Sequence, residues 1–266
     1  MDNWKLPPAD LTISKGHVHV WYVSLDQSES LLHRLAQTLS DEEHKRAQRF
    51  HFRKDRDHFI AARGALKDIL SHYLKREPEE LFFHYNEYGK PKLAENSSRL
   101  CFNVSHSGNI ALYAVTYGRE VGIDVEQIRP DFAEEPIARR FFSPAEAAVF
   151  SDLAAHERKE AFFCCWTRKE AFIKATGKGV SFGLDNFDVS LLPDKPAALL
   201  SVKGDKKEAR RWSLKNLDIQ PGYRAALAVE GHDWQLQSWQ WRPLEQITTF
   251  TKETNISKSD LLLNRS

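Results

Sequence analysis

Three short segments of the chain bring together residue types that act on phosphates and metal ions. In Val121-Gly122-Ile123-Asp124-Val125-Glu126, a strand places Asp124 and Glu126 on one face and turns Ile123 and Val125 to the core. Neighbouring carboxylates repel one another unless positive charge lies between them. A divalent cation meets that need. Magnesium suits hard oxygen ligands and takes one or two carboxylates together with phosphate and water oxygens. The pair is equally compatible with two solvated acids at a strand end.

The second segment runs from Trp166 through Thr167-Arg168-Lys169-Glu170-Ala171-Phe172-Ile173-Lys174 to Gly177-Lys178-Gly179. Glu170 and Lys174 are four apart, so a helix places them on one face. Such a pair is usually a surface ion pair. Here Phe162, Phe163, Trp166, Phe172 and Ile173 make the helix apolar over most of its circumference, which predicts burial. A buried acid and base ahead of a Gly-Lys-Gly loop suit a metal and phosphate site, and the order of helix and glycines is the reverse of a Walker loop. The third segment is Phe102-Asn103-Val104-Ser105-His106-Ser107-Gly108. It lacks the glycines that flank a nucleophile elbow, and adjacent Ser and His rarely reach nucleophile–base geometry. A phosphate-binding imidazole and hydroxyl fit better than a hydrolase triad, with a structural turn histidine as the alternative.

The elements that must position these residues are legible from periodicity. His17–Val23 and Leu100–Val104 read as strands, as do Ile110–Tyr117 and Val121–Val125, with a turn expected over 105–109. Ser40 with Glu43 and Ser143-Pro144 with Glu146 each mark a capped helix start. Helices are expected from Asp55 to about Lys75 and from Glu157 to Ala175, the latter ended by Gly177. From Phe187 to Trp241 short strands dominate, and a polar tail closes the chain. The sum is an α+β protein with helices packed on antiparallel sheet.

Composition narrows the function. The chain has 266 residues, 41% of them hydrophobic, and a formal net charge of +1. A packed core is expected, and a general nucleic-acid binder, which needs a basic excess, is not. No stretch reaches the roughly 20 apolar residues of a membrane span. Three cysteines, two of them adjacent at Cys164 and Cys165, match neither a disulfide framework nor a zinc site and point to a reduced, cytoplasmic protein.

Taken in order, Ser105-His106-Ser107, Gly122-Ile123-Asp124-Val125-Glu126 and Trp166-x-x-Lys169-Glu170-Ala171-x-x-Lys174 with Gly177-Lys178-Gly179 resemble the 4′-phosphopantetheinyl transferases, in particular their larger single-chain type. Tyr88-Gly89-Lys90-Pro91, Phe141 to Glu146, Arg49-Phe50 and Ala62-Arg63-Gly64 extend the resemblance over about residues 15 to 230. It implies a pseudo-twofold pair of similar α+β halves with coenzyme A in the cleft between them. The implied division is 1–117 for the nucleotide side, 118–242 for the acids and catalytic helix, and 243–266 for the tail. It implies magnesium on Asp124, Glu126 and Glu170, and a pyrophosphate held by Lys174, His106 and Ser105. Lys90 and Pro91 would lie at the adenine, with Arg63 and Arg46 at the 3′-phosphate. Arg63 sits on an apolar stretch whose nearby acids are Asp55, Asp57 and Asp68, so an external anion is its expected partner. The implied protein is monomeric and acts on an apo acyl or peptidyl carrier protein, with Glu170 as metal ligand or general base. Another magnesium-dependent phosphoryl-transfer enzyme and a non-catalytic carrier-binding module are the alternatives.

Overall fold

The structure, a computed structural model, describes residues 4–95, 98–132 and 134–243. The tail expected at 243–266 lies, beyond its first residue, outside the described residues. Strand β1 (His17–Ser24) leads into helices α1 (Glu29–Gln37), α2 (Asp41–Gln48) and α3 (Arg53–Leu74). A short hairpin of β2 (Phe83–Tyr85) and β3 (Pro91–Leu93) precedes a long one of β4 (Leu100–Ser107) and β5 (Ile110–Tyr117). The second half runs through the same sequence of parts: β6 (Val121–Gln127), then α4 (Glu134–Phe141), α5 (Pro144–Ser151) and α6 (Ala155–Thr176). A short pair, β7 (Phe187–Val189) and β8 (Leu199–Val202), follows, then the helical turn α7 (Lys206–Ala209), β9 (Trp212–Asn216) and β10 (Tyr223–Glu230).

The halves share a strand order. In the first, β5 lies between β1 and β4; in the second, β10 lies between β6 and β9, and all four pairings are antiparallel. Alternation along the strands builds four layers, helix–sheet–sheet–helix. Trp21, Val23, Tyr113 and Val115 face α3, whereas Val18, Val20, Leu112 and Ala114 face Ile123, Val125 and Leu227 of the second sheet. α6 covers the outer face of β6 and β10. The antiparallel expectation fails at one edge: the last strand, β11 (Gln235–Gln240), pairs in parallel with β1. Its chain arrives from β10 in the other sheet, so no tight turn constrains its direction.

The two halves also share one packing device. Ser40 and Ser143 cap α2 and α5, and Glu43 and Glu146 return the bond to the capping residue's N–H, each at 2.9 Å. Each glutamate then reaches a lysine of the long helix, Lys67 at 3.2 Å and Lys169 at 2.7 Å. Both lysines are fully buried, and each is the fifteenth residue of its 22-residue helix. Their ammonium groups also donate to Thr38 O, and to Leu184 O and Phe187 O. A buried charge is tolerable only when paired and hydrogen-bonded in this way.

His19 on β1 is buried beside Tyr73 of α3, whose hydroxyl lies 2.8 Å from Nδ1 and accepts from Trp21 Nε1 at 2.9 Å. Burial, reinforced by the nearby His17, holds its pKa at about 4 rather than 6.5. Between those values the unfolded chain binds a proton that the folded chain does not, so acidification from pH 6.5 to 4 lowers stability. We predict that His19→Gln flattens this pH dependence in urea unfolding. An unchanged slope between pH 6.5 and 4.5 would contradict the assignment.

Candidate active site

β4 and β6 belong to different sheets and run side by side in the same direction. Side chains take the place of a ladder between them. Asn103 Oδ1 accepts from Ile123 N at 2.9 Å, Ser105 Oγ from Val125 N at 3.3 Å, and Ser107 Oγ from Gln127 N at 3.1 Å. The same hydroxyls donate to the acids between those amides: Ser105 Oγ to Asp124 Oδ1 at 2.9 Å and Ser107 Oγ to Glu126 Oε2 at 2.8 Å. This corrects the expected turn. Ser105, His106 and Ser107 lie on β4, whose ladder with β5 continues to the Ser107–Ile110 pair. The turn is Gly108-Asn109, with Gly108 at φ 59°, a conformation open to glycine.

α6 brings Lys174 onto the same acids. Its Nζ donates to Asp124 Oδ1 at 2.5 Å and to Ser105 Oγ at 2.9 Å. Asp124 is buried, and its second oxygen, Oδ2, has no hydrogen-bond partner. Burial raises the Asp124 carboxyl above its ordinary value, against the opposing pull of Lys174 and Ser105. Glu126 is raised by burial and by Asp124. Glu170, one turn before Lys174, is pushed up to about 7 by burial and by the charge of Asp124 and Glu126, with Lys174 opposing. The three carboxylates thus share one electrostatic neighbourhood. Among the described residues no three His, Cys, Asp or Glu side chains form a metal cage by themselves. An orphaned carboxylate oxygen beside two further acids still fits a cation that fills its shell mostly with phosphate and water oxygens.

Across the cleft the expected basic groups diverge. Arg63 has one buried guanidinium nitrogen, Nη1, without a partner. Its Nη2 donates to the Tyr85 hydroxyl at 2.7 Å, and its Nε lies 3.4 Å from Glu43. The sequence pointed to Asp55, Asp57 and Asp68 as the acids near Arg63; the structure adds Glu43, the α2 capping glutamate, which reaches it across the helix pair. Arg46 is exposed and stacks over Phe59, 5.4 Å from the ring centre. Arg46, Arg63, Tyr85 and His106 line a cavity of about 170 Å³. His106 is held below its ordinary pKa by partial desolvation and by the positive charge of Lys174, His58 and Arg46. A second cavity, of about 310 Å³, is lined by Glu170 and Lys174 from α6 and by Lys90. Gly89, Pro91 and Val104 border both cavities. Lys90 departs from expectation: its ammonium is engaged with Glu120 at 3.1 Å and Ala175 O at 3.0 Å. A larger cavity, of about 380 Å³ beside Glu160 and Arg224, contains none of the predicted site residues.

This arrangement can be set against known proteins. Residues 120–228 match the 4′-phosphopantetheinyl transferase superfamily, and residues 24–117 match the 4′-phosphopantetheinyl transferase N-terminal domain. The chain is 42% identical over 240 residues to the 4′-phosphopantetheinyl transferase HetI of Nostoc sp., covering 90% of this chain and 98% of that protein. It belongs to the 4′-phosphopantetheinyl transferase superfamily. The transferase Sfp of Bacillus subtilis is 30% identical over 216 residues, covering 80% of this chain and 92% of that one. Holo-[acyl-carrier-protein] synthase of Thermotoga maritima aligns over 42% of this chain and 62% of its own, at 24% identity and a TM-score of 0.34.

In this transferase, sequence reasoning missed Asn103, Ser107, Glu43 and Tyr85. The first two carried a signal: with Ser105 they form a polar stripe of period two, alternating with Leu100, Phe102 and Val104. Glu43 and Tyr85 reach Arg63 only through tertiary packing and left no trace. Gly122 had a hidden role as well. A Cβ there would lie 2.0 Å from Ala171 O and 2.3 Å from Ala175 N, so glycine lets α6 lie directly on β6 and carry Glu170 and Lys174 to the acids. We predict that Gly122→Ala costs about 1–3 kcal/mol in urea unfolding and lowers the transfer rate. A wild-type unfolding midpoint would show that α6 does not rest on this residue.

Proposed function

We propose that this transferase moves the 4′-phosphopantetheine moiety of coenzyme A to a serine hydroxyl of an apo acyl or peptidyl carrier protein. The serine oxygen forms a bond to the phosphorus nearer the pantetheine, the pyrophosphate bridge breaks, and 3′,5′-ADP leaves. The observation that carries this reading is the Asp124 carboxylate, one oxygen paired with Lys174 and the other unpartnered, at a cleft whose far side holds one unpartnered guanidinium nitrogen, Arg63 Nη1.

Asp124 and Glu126, with Glu170 directly or through water, would hold magnesium. When bound, the ion would neutralise the pyrophosphate and polarise the phosphorus under attack. The chain's own residues supply the rest. Lys174 and His106 stabilise negative charge on the departing 3′,5′-ADP. Where Glu170 does not itself hold the ion, its carboxylate is the group placed to take the serine proton. Ser105 fixes Lys174 and Asp124 relative to one another. Arg63, with Arg46 beside it, receives the 3′-phosphate, and Pro91 with the stem of Lys90 borders the adenine. The reading assigns 1–117 to the nucleotide and 118–242 to the acids, a division supported by the repeated strand order. It takes the protein as a cytoplasmic monomer, and its three free cysteines agree with a reducing compartment.

The test pairs two ligands with two proteins. A guanidinium fork matches phosphate oxygens, and a hydrogen bond to a charged group contributes about 1.5–3 kcal/mol. Arg63→Ala should raise the KM for coenzyme A about ten- to a hundredfold, with kcat little changed because the 3′-phosphate is remote from the reacting atom. The 3′-dephospho form should be affected far less. Equal weakening of both ligands would make Arg63 structural.

A further inference from the structure

The two cavities of the cleft share one wall, and that wall is a turn of the first half fastened to the second. The residues between β2 and β3 form it: Gly89 N donates to Asn86 O at 2.9 Å, and Asn86 N to Lys90 O at 3.1 Å. The Asn86 side chain closes the turn from inside, since Oδ1 accepts from Tyr88 N at 3.0 Å and from Lys90 N at 2.8 Å. Its other end leaves the turn altogether. Nδ2 donates at 2.9 Å to Gly177 O, the residue that ends α6.

Two neighbours reinforce this attachment. The Lys90 ammonium donates to Ala175 O in the last turn of α6, and Tyr88 packs so closely on Gly179 that a Cβ there would lie 2.9 Å from its ring. The last carbonyls of a helix have no partners within the helix, and they attract donors and positive charge. Here they are satisfied by the opposite half of the molecule. The consequence reaches both ligand-facing groups. Lys174 lies within that last turn of α6, while Tyr85, which holds Arg63, is the residue before Asn86 and pairs with Pro91.

We propose that Asn86 is a positioning residue that clasps the nucleotide side of the cleft to the catalytic end of α6, and so sets the spacing between Arg63 and Lys174. This rests on the coenzyme A reading above. One bond of the side chain can be removed without the others. Asn86→Asp keeps the oxygen that accepts Tyr88 N and Lys90 N, but replaces the donor facing Gly177 O with a second acceptor. Asn86→Ala loses both functions.

The experiment measures coenzyme A affinity by calorimetry for the full chain and both variants, with hydrogen exchange at Tyr88, Lys90 and Gly177. For a clasp, Asn86→Asp keeps the turn amides protected, lets the freed end of α6 fray so that the Gly177 N–H, which is held by Ile173 O, exchanges faster, and weakens coenzyme A about tenfold or more. Asn86→Ala should weaken it at least as much. If Asn86 serves only its own turn, Asn86→Asp binds like the parent while Asn86→Ala is impaired, and the proposal is overturned. Faster exchange at Gly177 with unchanged affinity overturns it equally, since the clasp would then exist without positioning anything. A parent protein that fails to bind coenzyme A would contradict the function itself, and is distinguished from these by the unsubstituted control.

Discussion

The site depends on one seam, where three polar side chains of β4 stand in for the backbone ladder that would otherwise join it to β6. Unpaired strand-edge amides are costly when buried; Asn103 and Ser105 satisfy two buried ones on β6, and Ser107 a third at the exposed end of the strand. A hydroxyl accepts and donates at once. Ser105 and Ser107 can therefore take an amide proton on one side and give their own proton to Asp124 or Glu126 on the other. The contact that joins the two halves is thus also the contact that orients the acids. A backbone ladder could have joined the sheets, but it would have left the carboxylates to find their own geometry.

The halves repeat a frame without repeating a site. Each has the same strand order, a 22-residue helix and a serine–glutamate–lysine latch that fixes a capped helix to it. In α6 the residue after the latch lysine is Glu170, with Lys174 four further on. In α3 the corresponding positions hold Asp68 and His72. Asp68 accepts from Trp241 Nε1 at 2.6 Å, just beyond β11, so its carboxylate is spent on anchoring the end of the described chain. The first-half latch has been extended instead: Glu43 also reaches Arg63, and leaves one buried guanidinium nitrogen free for the cleft. One frame has thus placed three acids on one side of the cleft and an arginine with an unpartnered nitrogen on the other, the groups that the proposed function assigns to a metal ion and a phosphate.

Much of this was legible in the sequence, for local reasons. Period-two spacing placed Asp124 and Glu126 on one face, and the capping boxes at Ser40 and Ser143 fixed helix starts that the structure reproduces. The apolar circumference around Glu170 and Lys174 correctly implied that α6 is buried over most of its surface, although these two residues themselves are only half-buried. What escaped were relations set by packing. Lys90 reads as a ligand contact beside Pro91, but its ammonium is drawn to the carbonyls ending α6 and to Glu120. Ser105 to Ser107 read as a turn because small polar residues usually mark one, yet here they are polar for the sake of a neighbouring strand. The parallel pairing of β11 has no local signal at all.

The central claim is that the buried Asp124 carboxylate, with its Oδ2 unpartnered, holds a cation at the pyrophosphate. It is tested most directly by mass spectrometry of an apo carrier protein incubated with coenzyme A, magnesium and either the parent enzyme or Asp124→Asn, a near-isosteric change that keeps the seam bond from Ser105. The account predicts that the carrier gains the phosphopantetheine mass with the parent, that excess chelator stops this, and that Asp124→Asn slows it by about a hundredfold or more while remaining folded by circular dichroism. Transfer by Asp124→Asn at the parental rate, or transfer by the parent undiminished in chelator, would contradict it.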